Sequence, residues 1–196
     1  MTISLKHGLA ALLCCGAVTA HAEPSSVGDY WLIHQQGGMY KNEAFVVDGE
    51  PANIFQRPGG IQSLGVFRLY EEGAKPTMTA YDVEVDCAKN RVRLKGAQNV
   101  DKFYNDIRPM KVSTQWQKKP ETWLAQSRDF LCQPSQRQAK FMIPMGKMLP
   151  TQMVAAAPGL FQLRNREHGR DLILKMVDQA FDQMPARNAP AKEVVR

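Results

Sequence analysis

The residues best suited to chemistry in this chain are four histidines and four cysteines, and their spacing does not bring them together. None of the histidines (His7, His21, His34 and His168) stands near another histidine, a cysteine or an acid at the spacing of metal ligands. The motifs of serine hydrolases, zinc proteases and phosphate-binding loops are absent from the sequence. We therefore expect no catalytic residue, no metal and no cofactor, and a protein that is not an enzyme.

The first two cysteines belong to a segment that we expect to be removed. Cys14 and Cys15 lie in residues 1–22, which have a basic start, an apolar run, and the small residues Ala20 and Ala22 at the end. This three-part pattern is typical of a secretory signal peptide, and the apolar run is too short to cross a membrane. The pattern predicts export, with the mature chain beginning after Ala22.

The two remaining cysteines, Cys87 and Cys132, then lie in an oxidising compartment, where two thiols most simply form one disulfide. Their spacing is not that of a C-x-x-C redox motif. Lipid attachment is disfavoured because Leu13 precedes Cys14, where a small residue is required. We expect a protein of the periplasm or cell envelope that is soluble and not lipidated.

The length of the chain indicates how it is divided into segments, and its charge indicates which classes of partner it can bind. The 196 residues are divided into the signal peptide (1–22), a sheet-plus-helix domain (23–148), and a linker, amphipathic helix and flexible tail (149–196). A net charge of +6 weakly favours acidic surfaces, while export and the lack of long like-charge runs argue against nucleic acid as a partner. Beyond the signal peptide, no stretch approaches the about 18 apolar residues of a transmembrane segment.

Residues 29–100 predict a β-sheet. Short runs rich in valine and aromatic residues, at 30–33, 44–47 and 61–70, alternate with turns of glycine, proline and aspartate. This pattern is typical of an antiparallel meander, in which each strand pairs with the next along the chain.

A hairpin over residues 82–95 is the clearest element of this sheet. Valines alternate with acids on its first strand, and basic residues alternate with apolar ones on its return strand. A turn centred between Lys89 and Asn90 gives one register. The charge pairs in that register are Asp86 with Arg93 and Glu84 with Lys95. We interpret the basic stripe as a paired solvent face and not as an anion-binding patch.

A helix is predicted to start with Pro120 at its first position and to end at Cys132. One of its faces carries apolar or small residues, namely Trp123, Leu124, Ser127, Phe130 and Leu131. A disulfide from Cys132 to Cys87 would tie this helix to the sheet, and would stabilise the fold by about 4 kcal/mol for a loop of this length. A last strand is predicted at residues 140–143.

The C-terminal part predicts a joint and then an amphipathic helix. Prolines and alanines at 150–158 suggest the joint, and the helix spans residues 171–184. Its apolar face is the candidate partner-binding surface, formed by Leu172, Ile173, Met176, Val177, Ala180, Phe181 and Met184. This face packs loosely on its own domain, pairs with its copy in a homo-oligomer, or fills a groove on a partner.

The order of these features resembles the surface-adhesin protein E family of Gram-negative bacteria. The resemblance covers residues 30–132 and rests on Trp31, the segment from Asp86 to Arg93, Trp116, Pro120 and Cys132. It implies an antiparallel sheet with a helix tied across it by a disulfide. It also implies a role in binding host matrix and serum proteins, for which no individual residue is carried over.

These observations predict an α+β protein with an antiparallel meander, a disulfide-tethered helix and an amphipathic C-terminal helix. The leading functional hypothesis is an exported, non-enzymatic envelope protein that binds another protein. The alternative is a periplasmic accessory subunit of an envelope or secretion assembly, which docks through its C-terminal helix.

Overall fold

The computed structural model describes residues 26–101 and 106–182, which form an antiparallel sheet with one helix against each face. The predicted signal peptide and Met184 lie outside the described residues. The strands are β1 Gly28–Gln36, β2 Glu43–Asp48, β3 Phe55–Arg57, β4 Ile61–Tyr70, β5 Met78–Asp86, β6 Arg91–Val100, β7 Ile107–Met110 and β8 Ile143–Met148. The helices are α1 Thr122–Cys132 and α2 Pro150–Asp182. The predicted α+β class is confirmed.

The sheet has the order β7-β6-β5-β4-β2-β1-β8, with β3 paired to β4 off this path. The predicted meander from β1 to β6 is confirmed, because consecutive strands pair antiparallel apart from the short β3. The predicted sheet region ended at residue 100, but the segment after β6 contains β7, which extends one edge of the sheet. The opposite edge is β8, which returns to pair with β1.

The β5–β6 hairpin forms in a register two residues away from the predicted one. Asp86 pairs with Arg91 and Glu84 with Arg93, so the predicted pairing of Asp86 with Arg93 is wrong. The turn is centred one residue earlier than expected and ends at Asn90, whose φ of 48° is left-handed. A shift of two residues leaves each side chain on its predicted face, because side chains alternate with period two.

Helix α1 lies against the first face of the sheet, held there by the predicted apolar face. Trp123, Leu124, Ser127 and Phe130 are all buried. The Trp123 ring stacks on that of Phe45, with 4.9 Å between centroids. The predicted start at Pro120 is two residues too early, because the helix begins at Thr122 with Glu121 as its N-cap; its last residue makes the expected disulfide.

The disulfide joins Cys87, the first residue of the β5–β6 turn, to Cys132, with Cα atoms 5.5 Å apart. The predicted tether between the sheet and α1 is therefore present. Close by, the guanidinium carbon of Arg137 lies 3.6 Å from the centre of the Phe130 ring, and its Nε donates to the Phe130 carbonyl.

The last strand begins where the predicted one ends. Residues 137–142 form a turn in which the Met142 amide donates to the Arg137 carbonyl, and Phe141 is left-handed and 87% exposed. Because this turn uses the backbone groups that a strand would need, pairing with β1 begins only at Ile143.

The predicted joint at residues 150–158 is wrong, because these residues are the first turns of α2. Pro150 occupies the first helical position, where a missing N–H costs nothing. The Leu149 amide donates to Oε1 of Gln152, at 2.9 Å, as the N-cap amide does in a capping box. Pro158 lies inside the helix without ending it. The predicted C-terminal helix is thus the second half of one long helix.

Candidate functional site

The first half of α2 is packed against the sheet, and we call the sheet, α1 and this half of α2 the body. Met153, Ala157 and Phe161 follow one another at helical spacing and are buried against the second face of the sheet. They contact Tyr30 and Val46, among other residues of the sheet. The residues next to these in sequence pack on the opposite face, against α1. Helix α2 therefore covers the face opposite to α1, and both faces of the sheet are packed.

A hydrogen-bonded cluster holds α2 to the body at Asn165. Its Oδ1 accepts from the Tyr40 amide at 2.9 Å and from Nδ2 of Asn42 at 2.8 Å. Its Nδ2 donates to Glu71 at 2.5 Å, and Glu71 accepts both the amide and the side chain of Asn42. Asn42 is buried, so these bonds satisfy polar groups that water reaches poorly. We call Asn165, Asn42, Glu71 and the Tyr40 amide the clamp.

Beyond the clamp, the helix leaves the body. Every residue from 171 to 182 is exposed, over a helical length of about 18 Å. We call residues 171–182 the arm. The six large apolar side chains of the arm are 43–66% exposed; they are Leu172, Ile173, Leu174, Met176, Val177 and Phe181. With Ala180, which is also exposed, these include every predicted partner-binding residue that the structure describes.

The apolar face of the arm points away from the sheet. Successive residues in an α-helix are rotated by about 100°, so the stripe of Met153, Ala157 and Phe161 and the centre of the arm's apolar face differ by about 160°. The arm's charges lie on the sheet side of the helix axis. They are Asp171, Lys175, Asp178 and Asp182. The arm cannot cover its apolar face on its own sheet while α2 stays helical.

The basic stripe of β6 lies over two buried carboxylates. Arg91 contacts Asp86 at 3.0 Å and Arg93 contacts Glu84 at 2.6 Å, and both acids are buried. The ring of Trp116 lies 4.4 and 4.5 Å from the two guanidinium carbons. Burial alone would raise the pKa of Asp86, but hydrogen bonds from a turn amide and from Arg91 outweigh it and lower this pKa. The arginines of the stripe are thus paired with acids, as predicted. The two acids, however, are buried and do not form the solvent-exposed face that we expected.

A shallow hollow of about 450 Å³ lies on the α2 side of the sheet. Its floor contains the small residues Gly65, Ala80 and Gly96. Inside it, Asp82 accepts the Ser63 hydroxyl at 2.6 Å and lies 3.9 Å from Nζ of Lys95. The carboxylate in the hollow therefore already has a hydroxyl and an ammonium partner.

Neither a metal cluster nor a membrane-spanning helix is found among the described residues. Within residues 26–101 and 106–182, no group of three or more histidines, cysteines or acids is arranged to hold a metal ion. His34 packs against Phe45 in the body, whereas His168 lies in α2. In the same part of the chain, no helix is both long enough and apolar enough to cross a bilayer.

Comparison with known proteins gives no relative for this arrangement. The chain matches no protein-family model, no curated protein and no solved structure. The resemblance to the surface-adhesin protein E family therefore stays a prediction from the motifs within residues 30–132.

Two parts of the site were missed from the sequence. Leu174 was left out of the apolar face because it lies at the edge of a wide arc, yet it is 52% exposed in the arm. The role of Asn165 depends on residues more than 90 positions away, so no local pattern could reveal it. The signal available for the long helix was Pro150 followed by Gln152, a start pattern that we had interpreted as a joint.

Proposed function

We propose that this protein is an exported, non-enzymatic envelope protein that acts by binding protein, and that the arm of α2 is its contact element. One observation supports the proposal most directly. Six large apolar side chains are exposed to solvent on the second half of α2, whereas the first half is packed against the sheet. Each such side chain gains about 1.5–3 kcal/mol when it is buried. A surface with that driving force is typical of an interaction site.

Export is supported by two independent features. Residues 1–22 have the composition of a signal peptide, and the Cys87–Cys132 disulfide is the kind of bond that persists in oxidising compartments. Within this proposal, the likeness to surface adhesins suggests a host protein as one class of ligand.

A second candidate function is that of an accessory subunit in an envelope assembly. It is favoured by the continuity of α2, since one helix runs from the sheet core into the arm without a break. A subunit that docks through the arm would be rigidly connected to its partner. Surface labelling of intact cells separates the two roles, because an adhesin is accessible from outside and a periplasmic subunit is not.

The contact role is tested by photo-crosslinking in the native cells. A photo-reactive amino acid at Phe181, on the apolar face, should give a covalent adduct with a protein partner. The same amino acid at Lys175, six residues earlier on the charged side, is the matched control and should give little adduct. Equal adducts at both positions, or none at Phe181, would contradict the proposed function.

A further inference from the structure

The apolar face of the arm is large enough to form an interface. The hydrophobic gain of one fully buried large side chain corresponds to about 60–120 Å² of apolar surface, or about 360–720 Å² for six side chains. This range reaches beyond the about 300–600 Å² of the largest apolar patch on a typical monomer. It also approaches the roughly 800 Å² that each partner buries in a standard interface.

The charge pattern along α2 indicates the kind of partner. The stretch just before the arm has a net positive charge, with three arginines and Glu167, which pairs with Arg164 at 2.9 Å, whereas the arm carries three aspartates and a single lysine. Two copies of this segment placed side by side in opposite directions align the net positive stretch of each with the net negative arm of the other along the helix axis, while the arm's charged side chains stay on the side away from the partner. A parallel arrangement would instead place like charges together.

We propose that the arm pairs with the arm of a second copy of this chain, in an antiparallel helix pair. This inference rests on the proposed function and names the partner of the same surface. The antiparallel direction also places the two bodies at opposite ends of the pair. A two-fold interface of this kind uses one patch twice, so a single apolar face satisfies both copies.

An anionic lipid surface is a poorer fit to the arm. Helices that lie in a membrane interface carry lysine and arginine on their polar face, where they meet lipid phosphates. The polar side of the arm instead presents Asp171, Asp178 and Asp182 around Lys175. Those carboxylates would be repelled by anionic headgroups, whereas in the helix pair they face water.

The oligomeric state of the mature protein tests the proposal. Analytical ultracentrifugation over a micromolar range should show a dimer. Val177→Asp, in the middle of the apolar face, should weaken dimerisation by roughly tenfold or more, because it buries a charge. Gln179→Asp adds the same charge on the polar side and should leave the dimer intact. Equal melting midpoints would show that both variants keep a folded body. A monomer at all concentrations would overturn the proposal.

Thiol crosslinking tests the antiparallel direction. Cys87 and Cys132 are joined to each other in a disulfide. An introduced cysteine therefore provides the thiol of the mature chain that reacts with the crosslinker. A mixture of Arg170→Cys and Phe181→Cys proteins should crosslink across copies with a short bismaleimide, and each variant alone should crosslink poorly. Efficient crosslinking of each variant to itself would indicate a parallel pair and would contradict the proposed direction.

Failure of this inference can be distinguished from failure of the proposed function. If the photo-crosslinker at Phe181 captures a different protein and the purified chain is monomeric, self-pairing is wrong while the contact role of the arm stands. If the arm captures nothing and the chain is monomeric, both are wrong. An adduct of the chain with itself, together with a dimer in solution, supports both.

Discussion

At the scale of single residues, Asn165 is the last side chain of α2 that is hydrogen-bonded to the rest of the body before the arm begins. Its side chain uses both its oxygen and its nitrogen on groups of the β1–β2 and β4–β5 connections. Before it on the same helix, Met153, Ala157 and Phe161 are buried, whereas residues 171–182 are all exposed. The direction of the arm is therefore set by the apolar packing of the first half of α2 together with a small number of polar contacts.

We expect Asn165→Ala to destabilise the body by about 1–3 kcal/mol, because Asn42 and Glu71 would each lose a partner in a poorly hydrated place. Urea unfolding followed by circular dichroism measures this change. Gln162→Ala is the matched control on the same helix; Gln162 is exposed, and a change within about 0.5 kcal/mol is expected. Equal effects of the two substitutions would show that the clamp does not hold the helix.

Tyr30 is expected to give the protein an alkaline limit. Burial of its phenol, assisted by the charge of Asp48, raises its pKa from 10.0 to about 12. The unfolded chain therefore ionises first, so this group's contribution to stability is complete below pH 10 and is lost as pH rises through about 12. The stability difference between the protein and Tyr30→Phe should shrink over that range in urea unfolding. A difference that is independent of pH would contradict this expectation.

At the scale of elements, the disulfide connects two units that are separated by 45 residues in sequence. Replacing both cysteines by serine should lower the free energy of unfolding by about 4 kcal/mol, since the unfolded chain then regains the entropy of an open loop. Thermal unfolding measures the change. Mass spectrometry of a non-reduced digest should show Cys87 joined to Cys132. Reduction of the unmodified protein should reproduce the loss, and an unchanged melting midpoint would exclude the tether as a source of stability.

The elements that follow a regular period were predictable, and those set by distant contacts were not. The side-chain faces of β5, β6 and α1 were predicted correctly. They depend on local periods, of two residues in a strand and of three to four residues in a helix. The hairpin register failed because the turn length was ambiguous and both registers pair acids with bases. Strand β7 was missed because it is short and contains Pro109, and only its pairing with β6 defines it.

The long helix was the main error, and its cause is physical. Pro158 and the alanines around it suggested a flexible joint, since proline lacks the N–H that a helix interior uses. Tertiary packing overrides that penalty, because Met153, Ala157 and Phe161 fill the second face of the sheet on both sides of Pro158. The apolar face of the second half of the helix was nevertheless predicted, because its period does not depend on what precedes it.

At the scale of the whole molecule, the sheet separates two apolar clusters. The α1 side holds Phe45 and Trp123 and is closed by the disulfide, whereas the α2 side holds Tyr30 and Phe161 and is closed by the clamp. One side is thus held by a covalent bond and the other by hydrogen bonds. The part of the molecule that reaches outward, the arm, extends from the side without the covalent bond.

The two outer strands of the sheet bear on how the protein avoids aggregation. Each contains a proline, Pro109 in β7 and Pro144 in β8, which lacks the N–H that an added strand would need. Such residues protect a sheet edge from growing into fibrils in a crowded compartment. Strand addition is therefore disfavoured at both edges of the sheet. If this protein assembles with another chain without extending its sheet, the contact has to be made by its helices.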